Sequence, residues 1–221
     1  APWVDEYGLA VRVAGQLPTP TSELLSAREV RRLDPATQCA LIAARQAWTQ
    51  AFGSTAQVDP ERLAVSFSPG MGCVTTVMDA WDTLRTKGPR RVAPTTVPAL
   101  MPNAPAATLA MEFTARAGAH APVSACASGA EAISYGADLI RLGRADVVVA
   151  GGCDDALHPL TVAAFAAMRA LSTNPDPAGA CRPFASDRDG FVLGQGAGAL
   201  VLEAESYAKA RGAKILAYLD G

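Results

Sequence analysis

The stretch APVSACASGAEAISYGADLIRLGRADVVVAGG, residues 121–152, decides the fold class. It predicts a strand ending at Ala125, a helix over 126–142, and a second strand over 146–152. The second strand, DVVVAGG, is apolar on both faces. Such strands lie in the middle of a parallel sheet that helices cover on both sides. The stretch therefore predicts a layered α/β fold.

The rest of the chain continues this alternation of helices and strands. Asp34 and Pro35 are typical of the N-cap and first position of a helix, here over 35–52. The Gly-containing loop SPGMGC, residues 68–73, separates a strand from the next helix. Further predicted strands are 63–67, 198–203 and 214–221, and further predicted helices are 74–86, 104–116, 161–170 and 204–212.

Composition limits the class of protein. The chain has 221 residues, half of them hydrophobic, which fits one large or two small domains. A net charge of −2 gives no global field for nucleic acid, and no apolar run is long enough for a membrane span. We see no signal peptide. The five cysteines are Cys39, Cys73, Cys126, Cys153 and Cys181. Their odd number and the lack of CxxC spacing argue against a disulfide framework or a zinc site. A reducing, cytoplasmic compartment is therefore favoured.

Cys126 stands out among the cysteines because it begins a predicted helix among small residues, SACASG. The first turn of a helix carries unpaired N–H groups and the positive end of the helix dipole, which favour a thiolate and can stabilise an oxyanion. Small neighbours permit a tight strand–turn–helix crossing. A cysteine on an Ala-rich helix is otherwise an inert, buried side chain. The residues alone leave both interpretations open.

Several motifs in a fixed order carry a family resemblance. They are PVSACASGAEAI, ADVVVAGG, FAAMRALSTN, CRPFASDRDGFVLGQGAGALVLEAE and AKARGAKILAYL. Together they resemble the elongating 3-oxoacyl-[acyl-carrier-protein] synthases of the thiolase-like condensing enzymes. MPNAPAA and VSACASGAEAI are most similar to the branch that includes the mycobacterial meromycolate synthases. The resemblance implies a thiolase-like layered αβαβα fold, of which residues 1–221 form mainly the N-terminal αβα half, without the family's first strand.

The resemblance also implies an activity and a set of site residues. Cys126 matches the nucleophile that takes an acyl group from acyl carrier protein before malonyl-carrier protein is decarboxylated and condensed with it. The product is a 3-oxoacyl chain longer by two carbons. Met71 and Phe165 match positions that line the acyl pocket, and Thr96 matches one that reaches a partner subunit's pocket. No cofactor is implied, because phosphopantetheine arrives on the carrier protein.

Six arginines coincide with positions at which the family docks its carrier protein. A guanidinium suits carboxylates and phosphates because its donors form a fork. Charge runs of this kind are otherwise ordinary solvated surface. The six are Arg28, Arg31, Arg32, Arg90, Arg91 and Arg169.

Other residues of the family pattern differ or are missing. The family's GQGAG-like motif is usually acidic at its second position, which is Gln195 here. Two histidines and a lysine assist decarboxylation in the family, and they come from its C-terminal half. His120 and His158 lie in neither of the family's histidine motifs, so we expect both to be structural. These 221 residues alone are therefore expected to be acylated but not to condense. Arg182, Asp187, Arg188 and Asp189 are expected to form a structural charge network.

The expected partners are acyl carrier protein, malonyl and acyl thioesters, and a second copy of the chain. In the family, the strand before the nucleophile pairs across a twofold axis, so a homodimer would cover an exposed sheet edge. Three alternatives stay open: a polyketide-type ketosynthase, a thiolase-type acyltransferase that uses coenzyme A, and a scaffold subunit without condensing activity. The motif RPFASDRDGF argues against a thiolase, and Cys126 argues against the chain-length factors, which replace the nucleophile.

Overall fold

The structure is a computed structural model that describes residues 2–53 and 58–220. The chain forms two compact units, one of Ala1–Thr19 with Asp155–Gln195 and a larger one of Pro20–Asp154 with Gly196–Gly221. The helices are α1 (Pro2–Glu6), α2 (Ala27–Arg32), α3 (Pro35–Phe52), α4 (Val74–Lys87), α5 (Thr96–Leu100), α6 (Ala104–Glu112), α7 (Ser128–Arg141), α8 (Pro159–Ala167), α9 (Pro177–Ala180) and α10 (Glu205–Ala210). The strands are β1 (Leu63–Pro69), β2 (Gly118–His120), β3 (Val147–Asp155) and β4 (Gln195–Glu203).

The four strands form one sheet in the order β2-β1-β3-β4. β1 runs parallel to both of its neighbours, and it pairs with β3 from Leu63 opposite Val147 to Pro69 opposite Cys153. Every residue of β1 is buried, as the apolar sequence predicts for an internal strand of a parallel sheet. β2 is short and lies at the edge.

Helices cover both faces of the sheet in the larger unit. Successive strand residues point to opposite faces. Val65 and Val149 pack with residues of α3 and α6, whereas Val148 packs with Leu139 of α7 on the other face. The α/β class expected from the sequence is therefore confirmed.

Local signals fix the ends of α3. The Asp34 carboxylate accepts a hydrogen bond from the Ala36 amide at 2.9 Å, and Pro35 occupies the first helical position. Asp34 also accepts bonds from the Thr76 amide at 3.0 Å and its hydroxyl at 2.7 Å. The same buried carboxylate therefore caps α3 and ties it to the first turn of α4.

Three predicted elements have different limits. The helix predicted over 104–116 ends at Glu112, because Thr114 adopts a positive φ of 59° that no α-helix accommodates. The strand predicted to reach Ala125 is confined to Gly118–His120. The strand predicted over 214–221 is wrong for its described part: residues 214–220 form no strand, and Leu216 is 70% exposed. A short apolar run does not form a strand without a paired neighbour.

The smaller unit has a core of its own, in which Val11, Val162, Leu171 and Leu193 are buried together. In the part of the chain that the structure describes, no helix is long and apolar enough to cross a membrane.

The expected charge network lies in the smaller unit and centres on Arg182. Its guanidinium donates to the Asp189 carboxylate at 2.9 Å and to the Asp187 carbonyl at 2.7 Å. Asp189 also accepts from the Ser172 hydroxyl at 2.7 Å, and this bond is the main reason that the pKa of Asp189 is lowered. Arg188 donates instead to the Ala185 carbonyl at 2.9 Å. The network therefore joins residues of the long loop before β4, and Arg188, which was expected to belong to it, does not take part.

Candidate active site

Cys126 lies in a tight turn immediately before α7. Residues Ala125–Ala127 form a single 3-10 turn, and the α-helix begins at Ser128. The predicted helix start at Cys126 is therefore two residues early, and the thiol precedes the helix instead of lying inside its first turn. Cys126 is exposed to solvent. The exposed thiol thus lies at the N-terminal end of a 14-residue helix, which is the positive end of the helix dipole.

The turn contains one strained residue, Ala125, and is stabilised by the Ser128 hydroxyl. Ala125 adopts a positive φ of 52°, which costs free energy for a residue with a side chain. The Ser128 hydroxyl donates to the Ala125 carbonyl at 2.6 Å and accepts from the Ser124 amide at 2.9 Å. The buried Ser128 side chain thus closes the turn from within and offsets the strained backbone that presents Cys126.

The start of α7 lies directly against the end of β3. An ideal Cβ placed on Gly152 would be 2.8 Å from the Gly129 Cα and 3.2 Å from the Ser68 carbonyl oxygen. Real side chains do not approach that closely, so only glycine fits at position 152. This close contact brings Cys126 to the carboxyl ends of β1 and β3, where parallel α/β sheets commonly bind ligands.

The loop after β1 passes the same point. Gly70 and Met71 donate their amides to the two carboxylate oxygens of Asp154, each at 3.1 Å. Burial raises the pKa of Asp154, and the two amide hydrogen bonds partly oppose that rise. Asp154 was not singled out in the sequence, although a carboxylate at the end of a central buried strand is a signal that could have found it.

These elements surround a cavity of about 610 Å³, which is within the usual range for ligand sites. Its lining is dominated by small residues and includes six glycines, so the backbone comes close to whatever occupies it. The residues that line it are Ser68, Gly70, Ala125, Cys126, Ser128, Gly129, Ile133, Gly151, Gly152, Cys153, Asp154, Gly196, Gly198, Ala199 and Leu200.

Burial separates Cys126 from most other cysteines. Cys39, Cys73 and Cys153 are buried. Burial raises the pKa of Cys73 to about 12 and that of Cys153 well above its ordinary value, so these thiols stay protonated and unreactive. Cys181 is exposed, but it lies beyond the short helix α9 and outside the cavity lining. The Cys73 thiol also donates to the Met101 carbonyl oxygen at 3.6 Å, which is a structural contact.

The expected acyl-pocket residues lie on three separate elements. Met71 follows Gly70 in the loop held by Asp154, and its side chain is 42% exposed. Thr96 begins α5 in the larger unit and is half-buried. Phe165 lies on α8 in the smaller unit, where it packs edge-on against Phe191 at 5.3 Å between ring centroids. Their role in binding an acyl chain stays a prediction.

The expected docking arginines are exposed and leave their charge available. Among the described residues, none of the six pairs with a carboxylate, whereas Arg45 pairs with both Glu29 and Glu112 at 2.7 and 2.6 Å. Arg28 and Arg32 also border a groove of about 430 Å³ between α2, α3, α5 and α6. Five of the arginines belong to the larger unit: α2 carries Arg28, Arg31 and Arg32, and a 3-10 turn carries Arg90 and Arg91. The sixth, Arg169, belongs to the smaller unit.

Both histidines have structural contacts, as the sequence predicts. The His158 Nδ1 atom accepts the Leu160 amide at 3.2 Å and caps α8. His120 packs against Tyr135 at 5.0 Å between ring centroids.

Gln195 occupies the position that is usually acidic in the family pattern. Its side-chain amide donates to an Asp155 carboxylate oxygen at 3.1 Å, and its carbonyl accepts the Leu17 amide at 3.0 Å. A neutral residue suits this position because it faces Asp155 in the smaller unit.

Comparisons with known proteins agree with this geometry. The family model for the β-ketoacyl synthase N-terminal domain matches residues 3–208. The 3-oxoacyl-[acyl-carrier-protein] synthase 2 of Mycobacterium tuberculosis is 42% identical over 222 residues, which is 100% of this chain and 53% of that protein. A crystal structure of a β-ketoacyl synthase from Burkholderia phymatum superimposes with a TM-score of 0.84 at 30% identity, over 96% of this chain and 53% of that one.

A polyketide relative is also similar in structure. It is a type II polyketide ketosynthase in complex with its acyl-carrier protein, bound to the hexaketide, and it matches with a TM-score of 0.76 at 26% identity. This chain covers 51% of it.

The fold is thus that of the β-ketoacyl synthases. The chain belongs to the β-ketoacyl synthase family and matches its N-terminal domain. It spans about half the length of the relatives that it matches. The family resemblance drawn from the motifs is therefore confirmed.

Proposed function

We propose that the protein is an elongating 3-oxoacyl-[acyl-carrier-protein] synthase and that Cys126 is its acyl-accepting nucleophile. The observation that carries this proposal is the exposed thiol at the N-terminal end of α7, facing a cavity of about 610 Å³. The names of the curated relatives support the same reaction class.

The first half-reaction is a transthioesterification. The Cys126 thiol gives up its proton and the thiolate attacks the carbonyl of an acyl thioester on acyl carrier protein. A carbon–sulfur bond to Cys126 forms, the carbon–sulfur bond to phosphopantetheine breaks, and the departing thiolate takes up the proton. The N-terminal end of α7, which is the positive end of the helix dipole, would stabilise the oxyanion formed in between. The strained Ala125–Ser128 turn keeps the sulfur exposed during attack.

The second half-reaction forms the new carbon–carbon bond. Malonyl-carrier protein loses carbon dioxide, and the resulting carbanion attacks the carbonyl of the Cys126 thioester. The carbon–sulfur bond to Cys126 breaks, Cys126 is released as a thiolate, and the 3-oxoacyl chain, longer by two carbons, stays on the carrier protein. His120 and His158 already have structural contacts. The described residues therefore supply the acyl-accepting part of the reaction, and the family's decarboxylating histidines and lysine match none of them.

Carrier-protein docking is assigned to the six exposed arginines. An acidic carrier protein needs cations that are not already neutralised, and these side chains meet that need, unlike Arg45. The capping box of Ser26 and Glu29 fixes α2, so Arg28, Arg31 and Arg32 are presented from one ordered helix. Met71, Thr96 and Phe165 are proposed to contact the acyl chain.

A homodimer is part of the proposal. β2 is an edge strand with an unpaired side, and such edges are normally covered. On α4, Val77, Trp81 and Leu84 form an exposed apolar stripe, with Trp81 55% exposed. A second copy would bury both features. We also propose a cytoplasmic location, in keeping with the pathway of the relatives.

The test uses the full natural chain with acyl-carrier protein and malonyl-carrier protein, with the 3-oxoacyl product detected by mass spectrometry. Cys126→Ala is expected to abolish the product, and Cys181→Ala, which removes the other exposed thiol, is expected to leave it unchanged. Product formation that survives Cys126→Ala contradicts the proposal and favours the scaffold alternative. Transfer from acyl-coenzyme A but not from the carrier protein favours a thiolase. Repeated extension of the chain without reduction favours a polyketide ketosynthase.

A further inference from the structure

Asp154 lies where the loop after β1 leaves the sheet. Pro69, the last residue of β1, pairs with Cys153, so Gly70 emerges directly beside Asp154. One carboxylate oxygen accepts the Gly70 amide and the other accepts the Met71 amide, both at 3.1 Å. Capture of two successive amides by one carboxylate fixes the direction in which the loop leaves the strand.

Gly70 is enclosed between this carboxylate and the turn that carries Cys126. An ideal Cβ on Gly70 would lie 2.8 Å from the Asp154 Oδ2 atom and 2.9 Å from the Ala125 carbonyl oxygen. The loop therefore touches both groups with no spare room. Gly70, Asp154 and Cys126 all line the same cavity, so a shift of the loop changes the space beside the sulfur.

The charge at Asp154 is costly to maintain. The side chain is half-buried, and burial raises its pKa, while the Met71 and Gly70 amides are the groups that lower it. The Cys73 and Cys153 thiols are the titratable neighbours on which the Asp154 charge acts. Neither thiol donates a hydrogen bond to the carboxylate among those found in the described residues. The two loop amides are therefore the identified compensation for burying this carboxylate.

We propose that Asp154 is a positioning residue that sets the acyl-chain preference of Cys126. By holding the loop through the Gly70 and Met71 amides, it keeps Gly70 beside Ala125, fixes one wall of the cavity and so limits the chain that fits beside the sulfur. The inference rests on the proposed function, because it takes the acyl chain on Cys126 as the occupant.

The test compares Asp154→Asn with Asp155→Asn in the full natural chain. The two substitutions make the same chemical change at adjacent positions, but the Asp155 carboxylate accepts from the Gln195 side-chain amide and the Leu157 amide. An Asn side chain offers one acceptor where the carboxylate offers two, so hydrogen exchange of the Gly70 and Met71 amides is expected to quicken about tenfold in Asp154→Asn alone.

The functional readout is the ratio of kcat/KM for palmitoyl- and octanoyl-carrier protein. A loosened wall is expected to shift this ratio about fivefold in Asp154→Asn, with little change in Asp155→Asn. Gly70→Ala provides a second variant, because its Cβ would meet both the Asp154 carboxylate and the Ala125 carbonyl oxygen and displace the loop while the carboxylate remains. It is expected to shift the ratio as well. A merely structural role would lower kcat/KM for both chains equally.

Several results overturn the proposal. Unchanged amide exchange in Asp154→Asn does so, as does an unchanged ratio despite faster exchange, or an equal shift in Asp155→Asn. If Asp154→Asn does not fold, an unchanged ratio in Gly70→Ala overturns the proposal. Amide exchange needs no turnover, so it reports on Asp154 even if Cys126 accepts no acyl group. A lack of acylation at Cys126 would count against the proposed function instead.

Discussion

Gly152 and Gly129 are in backbone contact: an ideal Cβ on Gly152 would lie 2.8 Å from the Gly129 Cα. The end of β3 and the first turn of α7 meet at this point, and the turn that contains Cys126 immediately precedes α7. The backbone of β3 therefore packs directly against the start of α7, with no side chain between them.

Gly152→Ala is therefore expected to lower the free energy of unfolding by about 1–3 kcal/mol, since overpacking forces the backbone to shift. It should also change the rate at which iodoacetamide alkylates Cys126, because α7 is displaced. Gly198→Ala is the matched control, as a Cβ there meets no atom within 4 Å. Chemical denaturation and alkylation rates measure both effects, and a Gly152→Ala variant as stable as Gly198→Ala would contradict the contact.

The burial of the cysteines predicts their order of alkylation. At pH 8, iodoacetamide should modify Cys126 and Cys181 first, since both are exposed. Burial raises the pKa of Cys73 to about 12 and that of Cys153 well above its ordinary value, so both thiols should react only on unfolding. Peptide mapping by mass spectrometry measures the order. Early modification of Cys73 or Cys153 in the folded protein is incompatible with the structure.

Gln195 faces Asp155, so charge at position 195 should be destabilising. Gln195→Glu replaces a donor by a second carboxylate and is expected to cost about 1–3 kcal/mol near neutral pH. The deficit should shrink below about pH 4, where one of the two carboxyl groups takes up a proton. Gln195→Met removes the hydrogen bonds without adding charge, so its deficit should not depend on pH in this way. Urea unfolding across pH distinguishes the two, and identical pH profiles would refute the repulsion.

The capping box of α2 predicts an acid-sensitive contribution to stability. The Ser26 hydroxyl and amide, followed by Arg45, lower the pKa of Glu29 from 4.5 to about 2. Because the folded-state pKa lies below the unfolded one, this stabilisation is complete above about pH 4.5 and is lost as the pH falls toward 2.

Ser26→Ala should cost about 1 kcal/mol, and Glu29→Gln should remove the pH dependence between these limits. Thermal unfolding as a function of pH provides the measurement. A wild-type profile retained by Glu29→Gln would show that other carboxylates account for it.

The fold could be predicted where local signals decide it. The bounds of α3 follow from the Asp34 cap, Pro35 and the terminal Gly53, and the structure has the predicted helix from Pro35 to Phe52. The apolar sequence of β3 likewise indicated its central place. By contrast, the strand predicted over 214–221 depended on a short apolar run, and residues 214–220 have no strand beside them in the described parts.

The sequence predicted which residue is the candidate nucleophile but not the geometry of the turn around it. The SACASG motif pointed to Cys126, but the positive φ of Ala125 and the Ser128 hydrogen bonds come from tertiary packing. Asp154 meets Gly70 only because β1 and β3 pair in parallel register, and the sequence does not specify that register. Long-range pairing is the information that a local pattern lacks.

The central claim is that Cys126 accepts the acyl group, and the mass of the Cys126 peptide tests it most directly. The full natural chain is incubated with palmitoyl-carrier protein without malonyl-carrier protein, and then digested and mapped. The account predicts a palmitoyl adduct on Cys126 that hydroxylamine removes, with Cys181 unmodified. An adduct on Cys181 instead, or an unmodified Cys126 while the carrier protein loses its acyl group, would contradict it.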